Sequence, residues 1–280
     1  MIPRFAARSF ACVLLLSSGC KKPSLDATAM NDSGLAAANK GDVDGALKHY
    51  DDAIKLKPDF ATAYKNRGVA YASKGDYDHA LQDYDQAIKL KPDLASAYNS
   101  RALIYQQRGE YPRAIQDFDQ ALKLKPDYTV ATKNRGRARF FLGRYADAAA
   151  DLRQGAASDS TNAYLPIWLH MANLHLGQND TQEFTSLMAK ADSVQWPAPV
   201  AKFYLGKLSA DQLLAVAAKS DSKTQSDQTC AAAFYIGEQL LSQKKTADAR
   251  RRFEVAKSSC PKVWTEYQGA VSEIDRLGGK

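Results

Sequence analysis

Residues Ala61 to Leu94 read ATAYKNRGVAYASKGDYDHALQDYDQAIKLKPDL, and the next 34, Ala95 to Tyr128, read ASAYNSRALIYQQRGEYPRAIQDFDQALKLKPDY. Glycines recur at that interval (Gly41, Gly75, Gly109, Gly143, Gly177), as do alanines (Ala46, Ala80, Ala114, Ala148) and prolines (Pro58, Pro92, Pro126). Within one unit, Tyr64, Arg67, Gly68 and Tyr71 stand at i, i+3, i+4 and i+7, which places them on one helix face. Gly75 follows that helix where a left-handed residue closes it without a Cβ penalty. Asp76 and Asp78 open a second helix at the positive end of its dipole, and Ala80, Tyr84, Ala87 and Ile88 form its buried stripe. Lys89 and Lys91 complement the negative end, and Pro92 stops the helix.

A fixed 34-residue period with small, aromatic and proline residues at set phases resembles the tetratricopeptide repeat (TPR). That resemblance implies an all-α, right-handed solenoid of about six helix-turn-helix repeats with a C-terminal capping helix. Each pair leaves one face to be covered by its neighbours. The expected organisation is a signal over 1–19, a tether over 20–26, repeats 1 to 4 over 27–162, a divergent repeat and helical connector over 163–229, and a last repeat with capping helix over 230–280. In the connector, Trp196-Pro197-Ala198-Pro199 predicts a rigid corner and residues 200–206 a short helix. Ser209 with Gln212 predicts a capping box, and residues 219–229 a polar loop. Gly237, Ala249, Phe253, Ala256 and Pro261 restore the phase of a sixth repeat beginning at Cys230.

Composition supports a folded, polar-surfaced chain: 45% hydrophobic and 25% charged residues, with a formal net charge of +7. Loss of Arg4 and Arg8 with the signal would lower that charge to +5. The excess is spread as lysines at helix ends, without the basic and aromatic clustering of a nucleic-acid surface. At the N-terminus, Arg4 and Arg8 precede the apolar run Phe10 to Leu16 and then Ser17-Ser18-Gly19-Cys20. The run is too short to span a membrane and reads as an export signal. Ser-Ser-Gly-Cys resembles a bacterial lipobox, with Ser17 where that family usually has Leu. It implies acylation of Cys20, and Lys21 next to it implies an outer-membrane address. Ordinary signal-peptidase cleavage nearby is the alternative.

No G-x-S-x-G, P-loop or dinucleotide fingerprint occurs. His170 and His175 are five apart, a spacing that does not put two ligands on one helix face. Neither an enzyme, a cofactor nor a metal is expected. The recurring acids Asp51, Asp83, Asp85, Asp117 and Asp119 read as a solvated outer face.

Binding is expected along positions 2, 5, 9 and 12 of each first helix, which line the concave side in this repeat class. They include Lys65, Asn99, Leu103, Gln106, Lys133, Arg137 and Phe140, with Asn66 and Asn134 flanking at position 6. The stripe is polar and basic, carries no acid, and partly resembles the carboxylate clamp of chaperone-binding TPR domains. Val69 stands where that clamp has Asn.

Further along, Phe203-Tyr204-Leu205-Gly206, Phe234-Tyr235-Ile236-Gly237 and Glu266-Tyr267 with Ala270 and Glu273 resemble the NlpI-type TPR lipoproteins. This implies a homodimeric, outer-membrane-anchored periplasmic adaptor with protein partners, touching the membrane only through its lipid. A pilotin-like or secretion-assembly lipoprotein, or an envelope hydrolase with the array as accessory, are the alternatives. Finally, Cys12 leaves with the signal and Cys20 is assigned to acylation, so Cys230 and Cys260 remain as an even pair in an exported chain. They stand at positions 1 and 31 of the sixth repeat, where antiparallel helices bring the start of one beside the end of the other; a disulfide is expected.

Overall fold

The computed structural model describes residues 26–191, 195–219, 224–262 and 264–278. Those residues form fifteen α-helices and no strand. Repeats 1 to 4 are antiparallel pairs: α1 (Ala27–Asn39) with α2 (Val43–Leu56), α3 (Ala61–Ser73) with α4 (Tyr77–Leu90), α5 (Ala95–Gln107) with α6 (Tyr111–Leu124), and α7 (Thr129–Phe141) with α8 (Tyr145–Ser158). Asp42 and Asp76 cap α2 and α4 through their carboxylates. Gly68 lets the two helices of its pair approach closely: a Cβ there would lie 2.7 Å from Cε1 of Tyr84, the large side chain of the facing helix. Gly41, Gly75, Gly109, Gly143 and Gly177 all hold positive φ between paired helices, and in the sixth repeat Lys244 takes that conformation (φ 62°) without being glycine.

The pairs are tied together by a ladder. Arg67 donates from Nη1 to Asp51 at 2.6 Å, and from Nε and Nη2 to the two oxygens of Asp83 at 2.9 and 2.7 Å. Arg101 does the same with Asp85 (2.7 Å) and Asp117 (2.7 Å twice), and Arg135 with Asp119 (2.7 Å) and Asp151 (2.9 and 2.7 Å). Each guanidinium therefore grips the second helix of its own repeat bidentately and the second helix of the preceding repeat by one arm. Asp83, Asp117 and Asp151 are buried. Asp83 and Asp117 are interior clamps, which corrects the expectation of a solvated face for these two, whereas Asp85 and Asp119 are exposed as expected and Asp51 is half-buried. Pairing raises the pKa of Arg67 and Arg101, the hydrogen bonds to Asp83 and Asp117 being the largest cause. Tyr64 and Tyr71 flank Arg67, and Tyr98 and Tyr105 flank Arg101, with ring centroids within 6.0 Å of the guanidinium carbon. Repeat 1 has Ser33 and His49 at the two corresponding positions, so the ladder begins with Arg67.

Beyond repeat 4 the regular stacking changes. Helix α9 (Tyr164–His175) is buried on every side from Leu165 to Asn173, and α10 (Thr181–Lys190) buries only Phe184. The connector holds α11 (Ala198–Tyr204) and α12 (Ala210–Ala217). Ser209 and Gln212 form the expected capping box: Ser209 N donates to Gln212 Oε1 at 2.8 Å, and Gln212 N to Ser209 Oγ at 3.2 Å. The short helix starts at Ala198 because proline tolerates the first helical turn, where Pro199 sits. The polar stretch is also shorter than expected, since α13 (Gln225–Ser242) already begins at Gln225. Helix α13 pairs with α14 (Thr246–Ser259), and the Cys230 and Cys260 sulfurs are bonded between them, their Cα atoms 5.1 Å apart.

Helix α15 (Thr265–Arg276) does not extend the array as an end cap. It turns back against the first helices of repeats 3 and 4. Ser272 Oγ donates to the Phe141 carbonyl (2.8 Å), Arg276 Nη2 donates to the same carbonyl (2.7 Å), and Gln107 Nε2 donates to the Lys262 carbonyl (3.0 Å). A buried polar group lies behind this contact. Glu238 Oε2 and His175 Nε2 are 2.7 Å apart, His175 stacks on Tyr145 at 4.0 Å, and Glu273 accepts from Arg276 (2.6 Å). Burial pushes the Glu238 and Glu273 carboxyls up to about 8 and pushes His175 down to about 4. Burial thus disfavours charge on both partners of the Glu238–His175 contact.

Removing the fork of Arg101 by Arg101→Met leaves Asp117 buried without its partner and should cost about 3 kcal/mol or more in chemical denaturation. Arg113→Ala, which breaks an exposed pair with Glu110, should cost under ~1 kcal/mol; equal losses would show the ladder to be ornamental. The buried glutamates set a pH dependence. Their protons, kept in the fold, are released by the unfolded chain above its ordinary carboxyl value of 4.5, so stability falls as pH rises towards 8. His175 opposes this only between about 4 and 6.5, where the unfolded chain alone binds its proton. Above pH 6.5 the glutamates act unopposed, each by at most ~1.4 kcal/mol per pH unit. Calorimetry should find the melting temperature several degrees lower at pH 8.5 than at pH 6.5, and Glu238→Gln should flatten that slope.

Candidate functional site: an open groove and an enclosed cleft

Position 9 of the first three first-helices carries Leu35, Val69 and Leu103, spaced by the repeat. All three are large apolar side chains left open on the concave side, at 40%, 46% and 38% exposure. Position 5 between them alternates Asn31, Lys65 and Asn99. Lys65 is half-buried, forms no ion pair among the described residues, and has its pKa lowered by burial. Asn31 and Asn66 are turned to each other, Asn66 Nδ2 donating to Asn31 Oδ1 at 2.8 Å, so Asn66 joins neighbouring helices instead of facing the groove. Asn99 and Gln106 are buried, each with a side-chain oxygen lacking a partner.

Repeat 4 contributes differently from what its sequence suggests. Phe140, expected to line the groove, is fully buried and makes edge contacts with Phe141, Tyr145 and Trp168. Its neighbours α9 and α15 cover the concave side that it would otherwise face. Lys133 is not free of acid: its ammonium pairs with Asp159 at 2.8 Å. Arg137 donates from Nη2 to Asn134 Oδ1, and its Nε is sealed without a partner. Burial lowers the pKa of Arg137. The predicted stripe therefore serves two hollows: Leu103, Gln106 and Arg137 border a small one with Thr265 and Gln268 of α15, whereas Lys133, Asn134 and again Arg137 line a larger, half-open cleft beside the C-terminal third; Lys65 stays on the open face.

That cleft measures about 1220 Å³. Its floor comes from α7 and α9 and its walls from the connector and the start of α15, with Trp168, Trp196 and Trp264 all on its surface. The two wall tryptophans went unnoticed as site residues in the sequence because they lie outside the repeat's set positions, and only the return of α15 brings them together. His170 and His175 are taken up by carboxylates, His170 Nδ1 lying 2.7 Å from Asp180 and His175 beside Glu238. Cys20 and the signal lie outside the described residues.

A family model described as "Tetratricopeptide repeat" matches residues 61–94 and 95–128, and one described as "TPR repeat" matches residues 34–75. Among solved structures, pilF of Pseudomonas aeruginosa is similar over 81% of this chain and 96% of its own, at 14% identity and a TM-score of 0.58. MamA is similar over 65% of this chain and 95% of its own, at 20% identity and a TM-score of 0.51. The OM64 TPR domain of Arabidopsis is 30% identical, covering 40% of this chain and 93% of its own, with a TM-score of 0.39. With its 34-residue period, its helix pairs and the family-model matches over residues 34–128, the chain is built on tetratricopeptide repeats.

Proposed function

We propose that this chain is a non-enzymatic scaffold that holds an extended segment or helix of a partner protein along the open concave face of repeats 1 to 3. The observation that carries the reading is the exposed series Leu35, Val69 and Leu103 beside Lys65. Three apolar side chains spaced by one repeat suit a segment that places an apolar group on each. Each well-buried contact contributes roughly 1.5–3 kcal/mol. Lys65, half-buried and without an acid, favours a partner carboxylate at that point. The scaffold works in the bacterial periplasm, tethered to the outer membrane by acylated Cys20, in the manner of the NlpI-type adaptors. The run ending at Gly19-Cys20 supports this address, and a disulfide between Cys230 and Cys260 suits an oxidising compartment.

Peptides selected from a random display library on the purified chain should carry an acid among spaced apolar residues. Val69→Glu/Leu103→Glu should weaken them roughly tenfold or more, while Val255→Glu, on an exposed apolar residue of α14, leaves them unchanged. Selection that survives the double variant moves the site off the concave face. For the anchor, the intact mass of the mature protein should show a diacylated Cys20, and Cys20→Ser should release it into the soluble periplasm; an unlipidated mature mass contradicts the tether.

A further inference from the structure

The half-open cleft is chemically unlike the groove of repeats 1 to 3. Its one cation without an acid partner among the described residues on α7 is Arg137, for Lys133 is bound by Asp159. Of the guanidinium's donors only Nη2 has a protein acceptor, the neutral amide oxygen of Asn134. A buried guanidinium normally meets carboxylate or phosphate through its planar fork. The nearest carboxyl across the cleft, Glu266, does not come within ion-pair distance. Its Oε1 instead accepts from the Tyr235 hydroxyl at 2.8 Å, and burial raises its pKa. At the rim, Lys219 and Asp227 carry opposite charges. The walls carry Trp168, Trp196, Trp264 and Tyr164 among polar side chains such as Asn162, Gln195 and Gln228, and Val130 and Val216 are exposed. A guanidinium with an unsatisfied Nε, in a half-open cleft that carries three tryptophans among polar side chains, is a site for one negative charge on an apolar body. The volume suits a molecule of that size rather than a water-sized ion.

We propose that the cleft between repeat 4 and the C-terminal helices binds an apolar or aromatic monocarboxylate, its carboxylate on Arg137 and its body against Trp168, Trp196 and Trp264. Two sources supply this chemistry, a free small acid and the C-terminal residue of a polypeptide. The cleft adjoins the concave stripe at Arg137, which also borders the hollow beside Leu103, and binding in it requires no peptide on repeats 1 to 3.

All three tryptophans of the chain line the cleft, so their emission reports its occupancy directly. The probes are N-acetyl-phenylalanine, its amide, and an acetylated Gly-Ser octapeptide ending in phenylalanine with a free carboxylate, each titrated into the purified full chain. The acid should bind roughly ten- to a hundredfold more tightly than the amide, the range expected of a hydrogen-bonded charge pair. Arg137→Met should erase that preference and Arg137→Lys should keep part of it. Val255→Glu, on an exposed residue of α14 outside the cleft, should change nothing. Val216→Phe, which narrows the mouth without touching the charge, should weaken the acid by calorimetry and keeps the test valid where an Arg137 variant fails to fold. Tighter binding of the octapeptide than of the free acid assigns the ligand to a chain end; equal or weaker binding assigns it to a small acid. No response to any probe at millimolar concentration, equal affinity for acid and amide, or an acid preference that persists in Arg137→Met would overturn the proposal.

Discussion

A guanidinium at position 7 of a first helix needs several acceptors in fixed directions, and in this chain two different second helices must supply them. Arg67, Arg101 and Arg135 each reach 16 residues back and 16 residues forward to an aspartate. Every such fork closes one repeat internally and fastens it to the one before. Hydrophobic stacking alone would allow neighbouring pairs to slide; a bidentate fork with a third bond fixes both rotation and rise. A buried carboxylate left alone is costly, so the ladder converts a generic apolar interface into one register. It ends where its residues end: Leu169 holds position 7 of the fifth repeat, and Arg153 pairs instead with Glu183. The irregular third of the molecule starts there.

Freed from the ladder, the C-terminal third folds back. Helices α9 and α15 close over the concave side of repeat 4, using aromatic packing around Phe140, Trp168 and Phe234 and a buried polar group around His175 and Glu238. The functional consequence is geometric. A groove that could have run along four repeats is open along three, and its fourth part becomes a cleft with its own walls, its own cation and its own ligand chemistry. In the proposed reading an extended partner lies along repeats 1 to 3 and a small anionic group sits at Arg137 in the cleft.

Much of this was legible in residue order. The helix pairs, the glycine corners, the capping box at Ser209 and the cysteine pair follow from local spacing, because each depends on contacts within one repeat or one turn. Two of the aspartates were misread because their partners sit in other helices: periodicity gives their phase but not the antiparallel register that turns Asp83 and Asp117 inward. Phe140 and Arg137 were misplaced for a longer-range reason. Contacts such as Ser272 to Phe141 span 131 residues, and α15 carries no local mark of the surface it covers. Val69 and Leu35 stood in the stripe from the start, yet only their exposure distinguishes them from ordinary helix-packing residues.

The account rests on α15 being an integral wall of the molecule and not a frayed terminal helix. Native-state hydrogen exchange of the full chain measures this directly, since amides freed by local fraying exchange far faster than those requiring the surrounding core to open. The fold described here predicts that amides over 268–276 are protected to the same extent as those over 132–141 of α7, and that both lose protection together as denaturant is added. Exchange over 268–276 at the rate of an exposed end, with α7 still protected, would contradict it.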